Sequence, residues 1–146
     1  MTAYTQREHL KYTASQLFAL VADVERYPEF MPWVIDAHIQ NRKDHTILVD
    51  MTIAAGLLRK RFSTVAVLDR PHKIDISSRD PLFDRFGQQW SFKPATEGGT
   101  NLEYHVDLKF RSRVLEMLMG ASFVDRAVAT MSAFEHQAHK LYDAQS

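Results

Sequence analysis

The sequence contains no cysteine, which excludes a disulfide-stapled fold, a cysteine-ligated metal site and a thiol nucleophile. It has no excess of either charge, because 18 basic residues balance 18 acidic ones. Domains that bind nucleic acid are usually basic, so we expect no DNA partner. No apolar run approaches the roughly 18 residues of a membrane span, and residues 1–8 lack the apolar core of a signal peptide. We therefore expect a soluble cytoplasmic protein, with a peripheral position at the inner membrane as the alternative.

The chain has 146 residues, and 45% of them are hydrophobic, which is enough for one domain with a substantial core. It contains no internal repeat, low-complexity tract or linker. We therefore predict a single domain over residues 1–146.

The hydrophobic pattern predicts a strand, a helix and then a long antiparallel sheet. Thr13 and Gln16 form the sequence signature of a capping box at the start of the helix. This helix should end near Tyr27-Pro28, because the residue before a proline disfavours the helical region. From residue 34 to residue 110 the hydrophobic period changes to two, most clearly between residues 102 and 110. Strands at this spacing with short turns predict an antiparallel meander.

Residues 113–143 return to a helical period and predict one continuous helix of about 45 Å, at 1.5 Å per residue. A curved antiparallel sheet has to bury its concave face, and this helix is the largest apolar element that could cover it. The expected fold class is therefore α+β, with a curved antiparallel sheet wrapped around a long C-terminal helix.

Several short motifs occur in the order expected of one family. They are Tyr27-Pro28-Glu29-Phe30-Met31-Pro32-Trp33, Trp90-Ser91-Phe92, Asp107-Leu108-Lys109-Phe110-Arg111-Ser112, and Gly120 with Phe123 in the last helix. In these motifs the chain resembles the START-like, helix-grip superfamily of polyketide cyclase-like proteins. Within that superfamily it resembles the coenzyme Q-binding family that includes the bacterial ribosome association toxin. The resemblance implies a helix-grip fold with a cavity for a hydrophobic ligand.

The candidate ligand-binding residues come from the resemblance and from the hydrophobic pattern. The resemblance places the motif between Pro28 and Pro32 beside the ligand opening, although its apolar residues could equally be core. Inward-facing strand residues are core by default, and they line a cavity only if the long helix stands off from the sheet. The full set of candidates is Phe30, Met31, Trp33, Phe62, Phe83, Phe86, Trp90, Phe92, Tyr104, Val106, Phe110, Leu118 and Phe123.

A second candidate surface combines apolar and basic residues at the end of a predicted strand. Leu57 and Leu58 stand directly before Arg59 and Arg61. Apolar side chains beside positive charge suit a membrane surface, so we interpret these four residues as membrane contacts. Core packing of the leucines is the alternative, and the basic residues could instead contact ribosomal RNA.

The sequence nominates no catalytic residue and no metal site. His136 and His139 lie three residues apart in the last helix, which lacks the order and spacing of a zinc-protease motif. The resemblance supplies no catalytic residue either. We expect no cofactor other than a bound lipid, with ubiquinone as the first candidate.

The resulting hypothesis is non-enzymatic binding and delivery of a hydrophobic ligand, ubiquinone or a related polyprenyl lipid, in support of respiratory electron transport. Its expected partners are that small molecule and, transiently, a membrane surface. The first alternative is an interaction protein that docks on the large ribosomal subunit. The second is a polyketide cyclase.

Overall fold

The computed structural model describes residues 3–120 and 122–143. It contains one sheet of seven antiparallel strands in the order β1-β7-β6-β5-β4-β3-β2. The strands are β1 (Ala3–Leu10), β2 (Val34–Lys43), β3 (Thr46–Ala55), β4 (Leu58–Asp69), β5 (Lys73–Ser77), β6 (Phe83–Pro94) and β7 (Thr100–Phe110). Strands β2 to β7 follow one another as the predicted meander, and β1 joins the far edge beside β7.

Within the described residues, three α-helices and one 3₁₀ helix complete the fold. They are α1 (Ala14–Ala22), the 3₁₀ helix (Val24–Glu29), α2 (Arg113–Gly120) and α3 (Phe123–Tyr142). The predicted capping box is present, since the Thr13 hydroxyl accepts from the Gln16 amide at 3.1 Å and the Gln16 side chain accepts from the Thr13 amide at 3.0 Å. In the described part of the chain, no helix combines the length and apolar composition that a bilayer crossing requires.

The predicted end of the first helix needs correction. α1 stops at Ala22, and a separate 3₁₀ helix carries the chain past Pro28. Proline fits inside this short element because the tighter 3₁₀ turns leave few backbone bonds for it to break. The Tyr27 hydroxyl donates to the Val21 carbonyl and ties the two elements together.

The prediction of one continuous helix over residues 113–143 is wrong. The helical region is divided into α2 and α3, and Ser122 between them has φ −107° and ψ 15°, outside the helical region; residue 121 lies outside the described residues. The two helices cover different parts of the sheet. Leu115 of α2 packs with Phe62, Phe83 and Phe110, whereas α3 buries its face in the larger core.

The predicted fold class is confirmed, since a curved antiparallel sheet packs around the C-terminal helix α3. The larger core lies between the sheet, α1 and α3. Its least exposed large side chains include Trp90, Phe18, Phe92 and Met131. The smaller cluster lies beneath α2, and the space between these two clusters is the site described next.

Candidate functional site

A cavity lies between the concave face of the sheet and α3. Its volume is about 160 Å³, which is room for roughly five water molecules at about 30 Å³ each. Most of its wall is apolar and comes from β3, β4, β6, β7, the 3₁₀ helix and α3. The inward-facing residues of each strand supply this wall, because side chains alternate between the two faces of a sheet.

One end of the cavity, which we call the α1 end, is closed by aromatic rings. Trp90 stacks on Tyr104 at 4.3 Å between ring centroids, and Phe134 meets Trp90 edge-on at 5.0 Å. Behind them Phe18 of α1 contacts Phe92 edge-on at 5.5 Å. Edge-on and offset-stacked rings are the favoured aromatic geometries, so this end is densely packed.

The opposite end, which we call the α2 end, consists of Phe62, Phe83, Phe86, Phe110 and Leu115. Phe83 contacts Phe62, Phe86 and Phe110 at centroid distances between 4.8 and 5.2 Å. Phe86 is only half-buried, in contrast to the rings at the α1 end.

Apolar side chains at the α2 end also face outward. α2 and the β3–β4 hairpin border a common small recess. Four large apolar residues at the hairpin tip and on α2 are exposed: Leu57 at 103%, Val114 at 66%, Met117 at 77% and Leu118 at 63%. We call these four residues the apolar rim. Exposed apolar residues grouped in this way mark an interaction surface more often than isolated ones do.

Most of the residues predicted to bind ligand share the cavity wall. They are Met31, Trp33, Phe62, Phe83, Phe86, Trp90, Tyr104, Val106, Phe110 and Phe123. A ligand in the cavity would be within reach of these side chains, and binding by each of them stays a prediction.

Three predicted ligand-binding residues lie outside the cavity wall. Phe92 is 0% exposed and packs beneath α1 against Phe18, so it belongs to the core. Phe30 stands behind the wall, where its ring contacts Tyr27 and Phe134. Leu118 points to solvent because the separate helix α2 turns Leu115, and not Leu118, towards the sheet.

The sequence analysis missed the polar groups in this wall, which are Thr64, Gln88, Arg126 and Thr130. Gln88 could have been found, because it alternates with Phe86 and Trp90 on the same face of β6. Arg126 and Thr130 follow Phe123 at steps of three and four residues, so helical periodicity places all three on one face of α3.

Most hydroxyl groups of the wall already have partners. The Thr130 hydroxyl donates to the Arg126 carbonyl at 2.8 Å. Burial raises the pKa of Tyr104 well above its usual value, and a hydrogen bond with Thr130 opposes that rise. Burial likewise raises the pKa of Tyr27, whose hydroxyl is bonded to the backbone. Both tyrosines are therefore neutral in the folded protein at ordinary pH.

The predicted membrane contacts divide between two environments. Leu57 at the hairpin tip is fully exposed, as a membrane contact requires. Leu58 is half-buried and packs against the cluster at the α2 end. Arg59 and Arg61 are exposed, and Arg61 forms an ion pair with Asp50 at 2.9 Å. Whether any of these residues contacts a membrane stays a prediction.

The described residues contain no group of three or more His, Asp or Glu side chains arranged to hold a metal ion. The closest polar cluster joins the start of the chain to the end of α3. Tyr12 donates to Asp143 at 2.7 Å and also bonds to His139, and Lys11 pairs with Asp143 at 2.9 Å. The hydrogen bonds from Lys11 and Tyr12 lower the pKa of Asp143. This cluster lies on the outside of α3, away from the cavity wall.

The chain is similar to proteins named for two different activities. The family model for polyketide cyclase / dehydrase and lipid transport matches residues 10–135. The ribosome association toxin RatA of Pseudomonas aeruginosa is 29% identical over 143 residues, covering 97% of this chain and 99% of the toxin. A mitochondrial coenzyme Q-binding protein of Drosophila melanogaster is 26% identical over 113 residues, covering 75% of this chain and 47% of that protein.

Solved structures support the same grouping. An 18 kDa protein of Caulobacter crescentus is 30% identical, with a TM-score of 0.77 and coverage of 98% of this chain and 99% of that one. A START superfamily protein of Mycobacterium smegmatis has a TM-score of 0.75 at 16% identity, covering 95% and 98% of the two chains. The second likeness concerns the fold alone, and it confirms the START-like, helix-grip architecture expected from the sequence motifs.

Proposed function

The chain belongs to the polyketide cyclase / dehydrase and lipid transport family, and on that basis we propose that it binds a hydrophobic small molecule and delivers it without catalysing a reaction. The proposed ligand is ubiquinone or a related polyprenyl lipid, and the proposed role is to support respiratory electron transport. The observation that carries the proposal is the apolar cavity between the sheet and α3. The similarity to a protein named for coenzyme Q binding supports the choice of ligand.

The driving force for binding is the removal of apolar surface from water. Each buried methylene contributes about 0.8 kcal/mol, so a ring and a few isoprene carbons exceed the ordering cost of one small ligand. A cavity of about 160 Å³ encloses only the first part of a long polyprenyl chain. The rest of such a tail has to leave the cavity.

The α2 end is the proposed exit for the tail. One of its rings, Phe86, is only half-buried, and the apolar rim stands beside it. A tail that emerges here would lie against apolar side chains and not against water. The exposed Arg59 and Arg113 flank the rim, and positive charge beside apolar residues favours an anionic membrane surface. Contact with a membrane at this end would let the ligand pass between bilayer and cavity.

A titration with ubiquinones of increasing tail length tests the proposal. We expect the affinity to rise with the first isoprene units and then to level, because the cavity fills. Val106→Phe narrows the cavity and should weaken binding, whereas Val67→Phe, on the exposed face of β4, should leave it unchanged. Mass spectrometry of the organic extract of the purified protein identifies any ligand it carries. Failure of every quinone and polyprenyl lipid to bind would overturn the proposal.

The second candidate function is association with the large ribosomal subunit, because a relative that matches nearly the whole chain is named for ribosome association. The exposed Arg59 and Arg61 of β4 are the side chains we would test. Arg59→Ser combined with Arg61→Ser should weaken co-sedimentation with ribosomes, more steeply as salt is added. Lys60 is excluded from this test because it borders the recess at the α2 end. If this double variant no longer co-sediments with ribosomes but keeps its affinity for quinone, the two functions use separate surfaces.

A further inference from the structure

We infer that the cavity selects a ligand whose head group carries hydrogen-bond-accepting oxygen atoms, and that Arg126 of α3 and Gln88 of β6 bind those oxygens. This inference rests on the proposed function and adds the chemistry of the head group to it. Quinone carbonyls and a lipid carboxylate both present such oxygens, so the experiment below includes one of each.

Arg126 is the only charged side chain among the described residues of the cavity wall. Its Nε donates to the Ser122 hydroxyl at 3.0 Å. No carboxylate among the described residues lies within ion-pair distance of its guanidinium. The Arg126 side chain is half-buried, and a guanidinium carries five N–H donors, of which Nε–H is bonded to Ser122. An acceptor supplied by the ligand would bind to the donors that otherwise face the water of the cavity.

Gln88 provides the second donor, from the sheet side of the cavity. It pairs with Val106 in the register directly beside the Trp90–Tyr104 pair. Its side chain has no hydrogen-bond partner among the residues that the structure describes. The Thr130, Tyr104 and Tyr27 hydroxyls are already bonded within the protein, as described above. Among the wall residues that the structure describes, the Thr64 hydroxyl of β4 also has no hydrogen-bond partner, and it stands two strands away from Gln88.

These positions also orient the ligand. Along α3 the wall residues follow in the order Phe123, Arg126, Thr130 and Phe134, from the α2 end towards the α1 end. Arg126 therefore stands between the packed rings and the exit. A head group held there leaves its tail directed towards the α2 end, which agrees with the exit proposed for the tail.

The test compares ligands that share a tail and differ in the head. The probes are a short-tail ubiquinone, a hydrocarbon matching that tail, hexadecanoic acid and hexadecane. We expect the wild-type protein to bind each oxygen-bearing ligand more tightly than its hydrocarbon. Arg126→Met should weaken binding of the oxygen-bearing ligands by about tenfold or more, since a hydrogen bond to a charged group contributes that much. Hydrocarbon binding should stay within about twofold.

Controls separate head-group recognition from a general loss of structure. Arg42→Met removes an exposed arginine on β2 and should leave all affinities unchanged. Arg126→Lys should retain part of the preference, because it keeps a charged donor. Gln88→Leu tests the site from the sheet, so the inference can be judged even if Arg126→Met does not fold. If these variants lose more affinity for hexadecanoic acid than for ubiquinone, the preferred head group is anionic. If they lose affinity equally for both, the preferred head group is a neutral acceptor.

Two negative outcomes are distinguishable. If the wild-type protein binds each hydrocarbon as tightly as its oxygen-bearing partner, or if neither Arg126→Met nor Gln88→Leu changes that ratio, the inference is wrong and the proposed function stands. If the wild-type protein binds none of the four probes and no polyprenyl lipid, the proposed function itself fails.

Discussion

At the α1 end of the cavity, aromatic rings are sealed beneath two helices, whereas at the α2 end a comparable group of rings is bordered by half-buried and exposed apolar side chains. Phe92 at the first end is 0% exposed, and Met117 beside the second end is 77% exposed. The residue types are alike, so composition does not explain the contrast. The difference lies in what covers them, since α1 and the long α3 close one end and the eight residues of α2 cover the other. The comparison indicates that the α1 end stabilises the fold, and it agrees with the proposal that the ligand enters and leaves at the α2 end.

The largest expected effect contrasts one phenylalanine from each end. Phe92→Ala should lower the free energy of unfolding by about 3 to 5 kcal/mol, because it leaves a cavity in a closed core. Phe86→Ala should lower it by about 1 to 2 kcal/mol, because its ring is only half-buried. Quinone affinity should fall further for Phe86→Ala than for Phe92→Ala. Urea unfolding and quinone titration measure the two quantities, and equal stability losses would break the comparison.

The extent to which the sequence predicted this contrast can be stated for particular residues. The alternation in β6 and β7 predicted which side chains face inward, and the capping box predicted the start of α1, because both patterns depend on local geometry alone. The division of the C-terminal helix at residues 120–123 was not predicted, because the apolar spacing continues across it. Leu118 was consequently placed in the cavity. Arg126 was overlooked although its spacing from Phe123 places both residues on one face of α3.

The cavity itself could not be derived from the pattern of inward residues. Phe92 and Trp90 share the same face of β6 and the same kind of side chain. One is core because α1 packs directly on it through Phe18, and the other lines the cavity between the sheet and α3. Which helix covers each position is a property of tertiary packing between distant segments.

Substitutions in the apolar rim should have a smaller effect on stability but a clear effect on binding to membranes. Leu57→Asp combined with Leu118→Asp should change the free energy of unfolding by no more than about 0.5 kcal/mol, since both side chains are exposed. Co-sedimentation with anionic vesicles and transfer of quinone to them should decrease together, because the substitutions remove apolar surface and add like charge.

A matched control is available on the sheet. Leu48→Asp combined with Val67→Asp changes two exposed apolar residues of β3 and β4 that lie outside the apolar rim. Vesicle binding by this control should equal that of the wild-type protein. If vesicle binding decreases equally in both double variants, the apolar rim has no special role at a membrane. The contrast between the two ends then concerns packing alone.

The smallest expected effect is a dependence of stability on pH at the α1 side, where Tyr12 joins the start of the chain to α3. Burial and the neighbouring Asp143 raise the pKa of Tyr12 to about 12 from an ordinary value of 10. The folded state therefore retains the hydroxyl proton longer than the unfolded chain does. This contribution to stability is complete below pH 10 and is lost as the pH rises towards 12.

Tyr12→Phe should consequently be less stable than the wild-type protein at pH 8, and the difference in melting temperature should shrink between pH 10 and pH 12. Lys11, Glu135, His139 and Asp143 face the same hydroxyl, so the Asp143→Asn variant serves as a control for the carboxylate. Thermal melts at intervals of pH measure the effect. A difference that does not change with pH would show that the hydroxyl contributes packing only.

The pairing of β1 with β7 has a consequence for the order in which the chain can fold. The first strand has its sheet neighbour about 100 residues away, and Gln16 and Tyr12 find their partners Tyr142 and Asp143 more than 120 residues later. During synthesis β1 therefore has no neighbouring strand to pair with until β7 has left the ribosome. Because such distant pairing is slow, the meander of β2 to β6 has time to form first. Strand β1 and helix α1 then join the rest of the fold last, and they connect the two ends of the sequence. A nascent chain that stalls before residue 100 would leave β1 unpaired, and an unpaired strand edge can associate with other chains.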